Sequence, residues 1–137
     1  MAELVSQVLV SVVGVVTMAG GVLADAVVPA TARQHMRNPN WSAHAKFHNA
    51  QTIWLGVLTG ALGLVLTWAS TDLFHLAVIV IALAWLSMLG AAVVPGTRWV
   101  DPEFDHHRHR RLGPPQLRLA VGLLVALLLA EIVWIGS

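Results

Sequence analysis

The sequence predicts an all-α integral membrane protein, a four-transmembrane-helix bundle, on three observations. Of its 137 residues, 57% are hydrophobic and only 11% are charged, where a soluble domain carries roughly 25% charged residues. The apolar residues gather into four stretches, about 4–30, 48–70, 73–95 and 116–136, each near the ~20 residues that cross a ~30 Å hydrocarbon core as a helix. Finally, the runs Leu4–Ala24, Ala77–Val94 and Leu117–Ile135 are continuous, unlike the alternating ~10-residue segments of a membrane β-barrel. Four spans use up most of the chain, so residues 1–137 read as a single transmembrane domain.

The first span ends in Leu23-Ala24-Asp25-Ala26, which superficially resembles a signal-peptide cleavage site. It lacks a basic leading region and is too long, so it reads as a retained helix. Asp25 lies inside this apolar run, about a turn before Pro29. An intramembrane carboxylate is costly and marks either a functional site or a satisfied residue at a helix end, and Pro29 is expected to free backbone carbonyls near it. The second span carries Gly56-x-x-x-Gly60, a small-residue motif that suggests close contact with another helix or with a second copy, as in a homodimer. The fourth span holds Glu131 beside Trp134, where it can snorkel or form a structural pair with His75. No cysteine is present, which excludes disulfides, thiolate catalysis and iron–sulfur clusters.

All eight basic residues fall between the first and second spans (Arg33, Arg37, Lys46), or between the third and fourth and at the start of the fourth (Arg98, Arg108, Arg110, Arg111, Arg118). Both connections lie on one side of the membrane. The positive-inside rule therefore places loops 31–47 and 96–115 in the cytoplasm and both termini outside. Six of the seven histidines occupy the same loops or, for His48, the first residue after one.

The spans also show an internal likeness. Ala26-Val27-Val28-Pro29-Ala30-Thr31 and Ala92-Val93-Val94-Pro95-Gly96-Thr97 differ at one position, and Asp25 corresponds to Ala91. Each copy is followed by an Asn/Asp-Pro step, Asn38-Pro39 and Asp101-Pro102, where the first residue can cap a helix and the proline suits its first turn. The chain reads as two parallel helical-hairpin repeats about an axis along the membrane normal, with the polar loops facing each other.

A helix starting at Asn38-Pro39 and running into the second span makes Trp41, His44, His48 and Gln51 one stripe, at i, i+3, i+7 and i+10. Because the stripe is polar and the residues between it mostly apolar, it is expected to face the bundle interior or a water-filled vestibule. His44 and His48 are spaced to bind one metal ion or to relay protons. The alternative is that they and Trp41 anchor the helix at headgroup level.

The run His35-x-x-Asn38-Pro39-x-Trp41-x-x-His44-Ala45-Lys46-Phe47-His48-Asn49-Ala50-Gln51 resembles the signature of an uncharacterised family of small four-helix membrane proteins. In that family an acidic residue closes the first helix and a His-x-x-Asn-Pro loop leads into His-Ala-Lys/Arg-Phe-His. The resemblance implies a shared site, with Asp25 as the acidic partner, and names no reaction.

The second loop offers Asp101, Glu103, Asp105, His106, His107 and His109. Such a set can ligate a divalent metal or act as acid and base, although the stretch His106–Arg111 reads more readily as a basic anchor for anionic lipid. Asp101 and Glu103, near Trp99, are the stronger candidates.

Three functions are open. Placed first is a membrane-embedded enzyme, an isomerase, cyclase or ring-opening hydrolase, acting on a lipophilic small molecule by general acid–base catalysis at the cytoplasmic end. Its acid–base groups are Asp25, His35, His44, His48, Asp101 and Glu103; Asn38, Trp41, Gln51, Trp54 and Trp99 contact the substrate. Its architecture is similar to that of sterol isomerases of the emopamil-binding class, with no motif shared. The second is a small-molecule transporter or binding protein, suggested by the repeat and Asp25. The third is a metal-dependent membrane oxidase or hydrolase with His35, His44, His48 and His106 as ligands. No cofactor is required by the first reading, and no nucleic-acid partner is expected.

Overall fold

The computed structural model describes residues 1–104 and 114–137, so Asp105, His106, His107, His109 and Arg108, Arg110 and Arg111 lie outside the described residues. Helices α1 (Ala2–Gly21), α2 (Pro29–Ala32), α3 (Ala43–Ala69), α4 (Phe74–Ala91) and α5 (Pro115–Ile135) account for the architecture, with a π-helical turn over Val22–Val27 prolonging α1. Among the described residues, four helical segments are long and apolar enough to cross a membrane: Ala2–Val27, Ala43–Ala69, Thr71–Ala91 and Pro115–Ile135. At 1.5 Å per residue they span roughly 32–40 Å, against a ~30 Å hydrocarbon core.

Two helix ends depart from the sequence expectation. The second long helix starts at Ala43 rather than at Asn38-Pro39, because Ser42 takes the cap: its Oγ accepts from Ala45 N at 3.1 Å. Asn38 instead turns its side chain onto the local backbone, accepting from Asn40 N at 2.9 Å. The third helix ends at Ala91, four residues early. Pro95 cannot donate to the Ala91 carbonyl, and the chain tightens through Ala92 N→Leu89 O, Val93 N→Gly90 O and Val94 N→Ala91 O.

The long helices form a ring in the order α1, α3, α4, α5, with α1 and α4 across the diagonal. The inward faces recur at heptad-like spacing: Ser6, Val10, Val13 and Thr17 on α1, and Phe74, Ala77, Val78, Ile81 and Trp85 on α4. The outward faces are equally apolar. Leu4, Val8, Val12 and Val15 on α1, and Leu58, Leu62 and Val65 on α3, are all exposed. In water such a surface drives aggregation; in lipid it costs nothing.

In an apolar surround the helices gain little from hiding hydrophobic area from one another, so close packing and hydrogen bonds must hold the bundle. The α1–α3 seam is built for this. A Cβ on Gly60 would lie 2.5 Å from Met18 Cγ, 2.7 Å from Gly14 O and 2.9 Å from Met18 N; one on Gly56 would lie 3.1 Å from Thr17 O. The Gly56/Gly60 motif therefore serves a contact inside the chain. Across the core, Trp85 Nε1 donates to Thr17 Oγ1 at 2.9 Å, and Thr17 donates on to Val13 O at 2.8 Å. At the opposite end from the long loops, His75 Nδ1 meets Glu131 Oε2 at 2.7 Å, as the sequence suggested, beside the stacked rings of Phe74 and Trp134.

Gly60→Ala places a methyl group against backbone atoms that cannot swing aside, and is expected to destabilise the bundle by about 1–3 kcal/mol. Gly122→Ala on α5, whose Cβ would meet nothing within 4 Å, is the control. Unfolding in detergent micelles should separate the two; equal stability of both variants would show that the seam does not set the packing.

Candidate functional site

The site begins with a missing amide. Pro29 has no N–H for the carbonyl four residues back, which belongs to Asp25, and its ring presses on that carbonyl. The preceding turn widens, with Val28 N bonding Leu23 O, five residues back, at 2.8 Å. Such π-helical turns are rare and are frequent at functional sites. The freed Asp25 carbonyl accepts Met36 N at 3.2 Å, which draws the first loop back over the end of α1.

This fold-back brings His35 to Asp25. His35 Nδ1 donates to Thr31 O at 3.0 Å and lies 3.4 Å from Asp25 Oδ1. Since the Thr31 carbonyl only accepts, Nδ1 carries a proton. The imidazole stands edge-on to Trp41, ring centroids 5.7 Å apart. On the other side, Asn49 Nδ2 donates to Asp25 Oδ2 at 2.7 Å. The Asp25 side chain is 20% exposed and that of His35 31%. Two buried atoms close by in sequence have no partner among the described residues, Asn49 Oδ1 and Asn38 Nδ2, and Asn38 is itself only 1% exposed.

Asn49 was not singled out from the sequence, yet its position was readable. It continues the inner seam of α3, Asn49, Ile53, Gly56, Gly60, Gly63 and Thr67, in alternating steps of four and three, one turn beyond Ile53, which packs against Gly21 of α1. A polar side chain on a small-residue seam is the signal.

The other expected residues distribute elsewhere. His44, His48, Gln51 and Trp54 are exposed on the outer face of α3, contrary to the expectation that this stripe faces the interior, because the glycine seam claims the opposite side. His48 Nε2 lies 3.0 Å from His44 Nε2, and His48 Nδ1 lies 3.4 Å from Gln51 Oε1. Gln51 and Trp54 line a shallow open groove with Thr52, Leu55 and Leu58. Trp41 precedes α3 and is not part of its stripe.

In the second loop Asp101 and Glu103 are exposed around a short 3₁₀ turn, Pro102–Phe104, and Trp99 is half-buried. Neither carboxylate has a side-chain hydrogen bond or ion pair among the described residues. Among the described residues, the second loop thus builds no counterpart of the Asp25 cluster. Nor do three or more His, Asp or Glu side chains converge among the described residues as a metal cluster; His106 lies outside them.

These features define a small helical bundle, apolar enough for four membrane passages, with a carboxylate–imidazole–carboxamide cluster at one end of its first long helix. The chain belongs to a family of unknown function, DUF6640, whose model matches residues 9–127. Comparison with curated proteins and with solved structures gave no match.

If Asp25 and Asn49 act as a pair, their alanine substitutions should be non-additive. A double-mutant cycle of Asp25→Ala and Asn49→Ala, read by unfolding in detergent, is expected to give a coupling of about 1 kcal/mol or more. Strict additivity would show that the 2.7 Å contact contributes nothing.

Proposed function

We propose that the protein is an integral membrane enzyme that acts on a lipophilic small molecule by general acid–base chemistry at the loop end of the bundle. Isomerisation, cyclisation and ring-opening hydrolysis share the required steps, removal of a proton at one atom and its delivery at another. The observation that carries this reading is the His35 ring held through Nδ1 by Thr31 O and Asp25 Oδ1. A proton fixed on Nδ1 leaves Nε2 as the base, and the carboxylate stabilises the imidazolium that forms when Nε2 takes a proton. Asn49 orients the carboxylate through its other oxygen. Trp41 offers an apolar wall and a π-face for developing positive charge.

Transport is the weaker reading because the bundle axis beyond the site is filled by side chains. Val10, Val13, Ile81 and Leu127 are essentially fully buried, so a passage requires the helices to part.

We place the site on the cytoplasmic side, since the basic residues lie in the two long loops or the first turn of α5 and the short turn and termini hold none. A chain without cysteine makes this directly testable. In intact cells, Ser137→Cys should react with a membrane-impermeant maleimide and Asn40→Cys only after permeabilisation; the reverse pattern would overturn the orientation.

For the chemistry, proteoliposomes are incubated in D₂O with an extract of lipophilic metabolites, and products that gain deuterium or change retention are followed by mass spectrometry. His35→Ala should lower turnover about a hundred- to ten-thousand-fold, with Asp25→Asn losing less. Turnover unchanged in His35→Ala would refute the assignment of the base.

A further inference from the structure

We propose that His44 and His48 form a binding site for a divalent transition-metal ion on the outer face of α3, separate from the Asp25–His35 cluster and independent of its function. The two rings are one turn apart and cross at 81° with centroids 4.5 Å apart, and their Nε2 atoms lie 3.0 Å from each other. With metal–nitrogen bonds of roughly 2.0–2.1 Å, a 3.0 Å separation corresponds to a ligand–metal–ligand angle of about 94°. That is near the right angle of square-planar and octahedral sites, so the rings already stand at chelating distance.

The second observation is the state of His48. Its Nδ1 faces Gln51 Oε1 at 3.4 Å, an acceptor, so Nδ1 holds the proton and Nε2 presents its lone pair. A hydrogen bond from the non-ligating nitrogen is the outer support that metal-binding histidines generally have, fixing both tautomer and ring orientation. His44 Nε2 donates to His48 Nε2 in the ion-free pair. The ion replaces that proton, and the His44 ring, stacked parallel to Phe47, turns its own lone pair inward by moving its proton to Nδ1.

No third His, Asp or Glu side chain joins the pair among the described residues. The site therefore supplies two imidazoles and leaves the remaining positions to water. Two neutral nitrogen ligands at this angle suit copper(II) and nickel(II), with copper(II) held most tightly in the usual order of divalent ions.

The test is copper(II) titration of the full chain in detergent, purified through a histidine-free tag and followed by electron paramagnetic resonance and calorimetry. One ion per chain with superhyperfine coupling to two imidazole nitrogens is expected. His44→Ala and His48→Ala should each remove one nitrogen and weaken binding beyond the about 10–100-fold typical of losing an outer support; Gln51→Leu should weaken it about tenfold by that same loss. All three residues are exposed, and unchanged helicity would confirm the fold. The variant His106→Ala/His107→Ala/His109→Ala should retain the ion. Persistence of the two-nitrogen signal in His44→Ala, or its loss in the triple variant, would overturn the proposal.

Discussion

Pro29 deprives the Asp25 carbonyl of its helical partner, and the loop end of the bundle is organised around where that carbonyl finds another. An unanswered carbonyl in an apolar surround costs several kcal/mol. The partner it finds, Met36 N, lies eleven residues on, so satisfying one backbone atom folds an entire loop back against the helix that precedes it. The widened turn before the proline and the approach of His35 and Asn49 to the carboxylate accompany that single choice.

The similar Val-Val-Pro turn that follows α4 shows that the choice was not forced. Pro95 removes the partner of the Ala91 carbonyl in the same way, but there Thr97 Oγ1 reaches back at 2.7 Å and answers it locally. The difference lies in one residue. Gly96 adopts φ +88°, a left-handed conformation that brings the threonine under the helix end; its counterpart, Ala30, stays helical within α2. Thr31 Oγ1 then reaches no further than Val28 O, at 3.4 Å. With the local answer closed by an alanine, the carbonyl is left for the loop.

Much of this was legible in the residues. Length and apolar content account for the four long apolar helices, and the His75–Glu131 pair follows from two ionisable groups stranded at the same end. Three things were not. Asn38 and Ser42 are both good cap residues, and local preference cannot decide between them; the folded loop buries Asn38 and leaves Ser42 free to cap. Polarity was a poor guide to the inner face of α3, because what the α1 contact selects is smallness, at Gly56 and Gly60, and the histidine stripe is turned outward as a consequence. The turn at Pro29 rests on a hydrogen bond eleven residues long, beyond any local pattern, although the freeing of a carbonyl by the proline was foreseeable.

The two proline turns also bear on why the carboxylate is there. The proline turn needs a carbonyl partner, not a side chain, and the second copy builds its turn with alanine at the position of Asp25. Placing a carboxylate inside an apolar span is expensive, and a weak pair with a half-exposed imidazole does not make it a favourable way to hold a helix end. Asn49 breaks the run of apolar and small residues on the α3 seam only to meet that carboxylate. His35 and Asn49 both address Asp25, and none of the three side chains is required by the proline turn, an arrangement that fits the acid–base chemistry we propose and that the helix end does not demand.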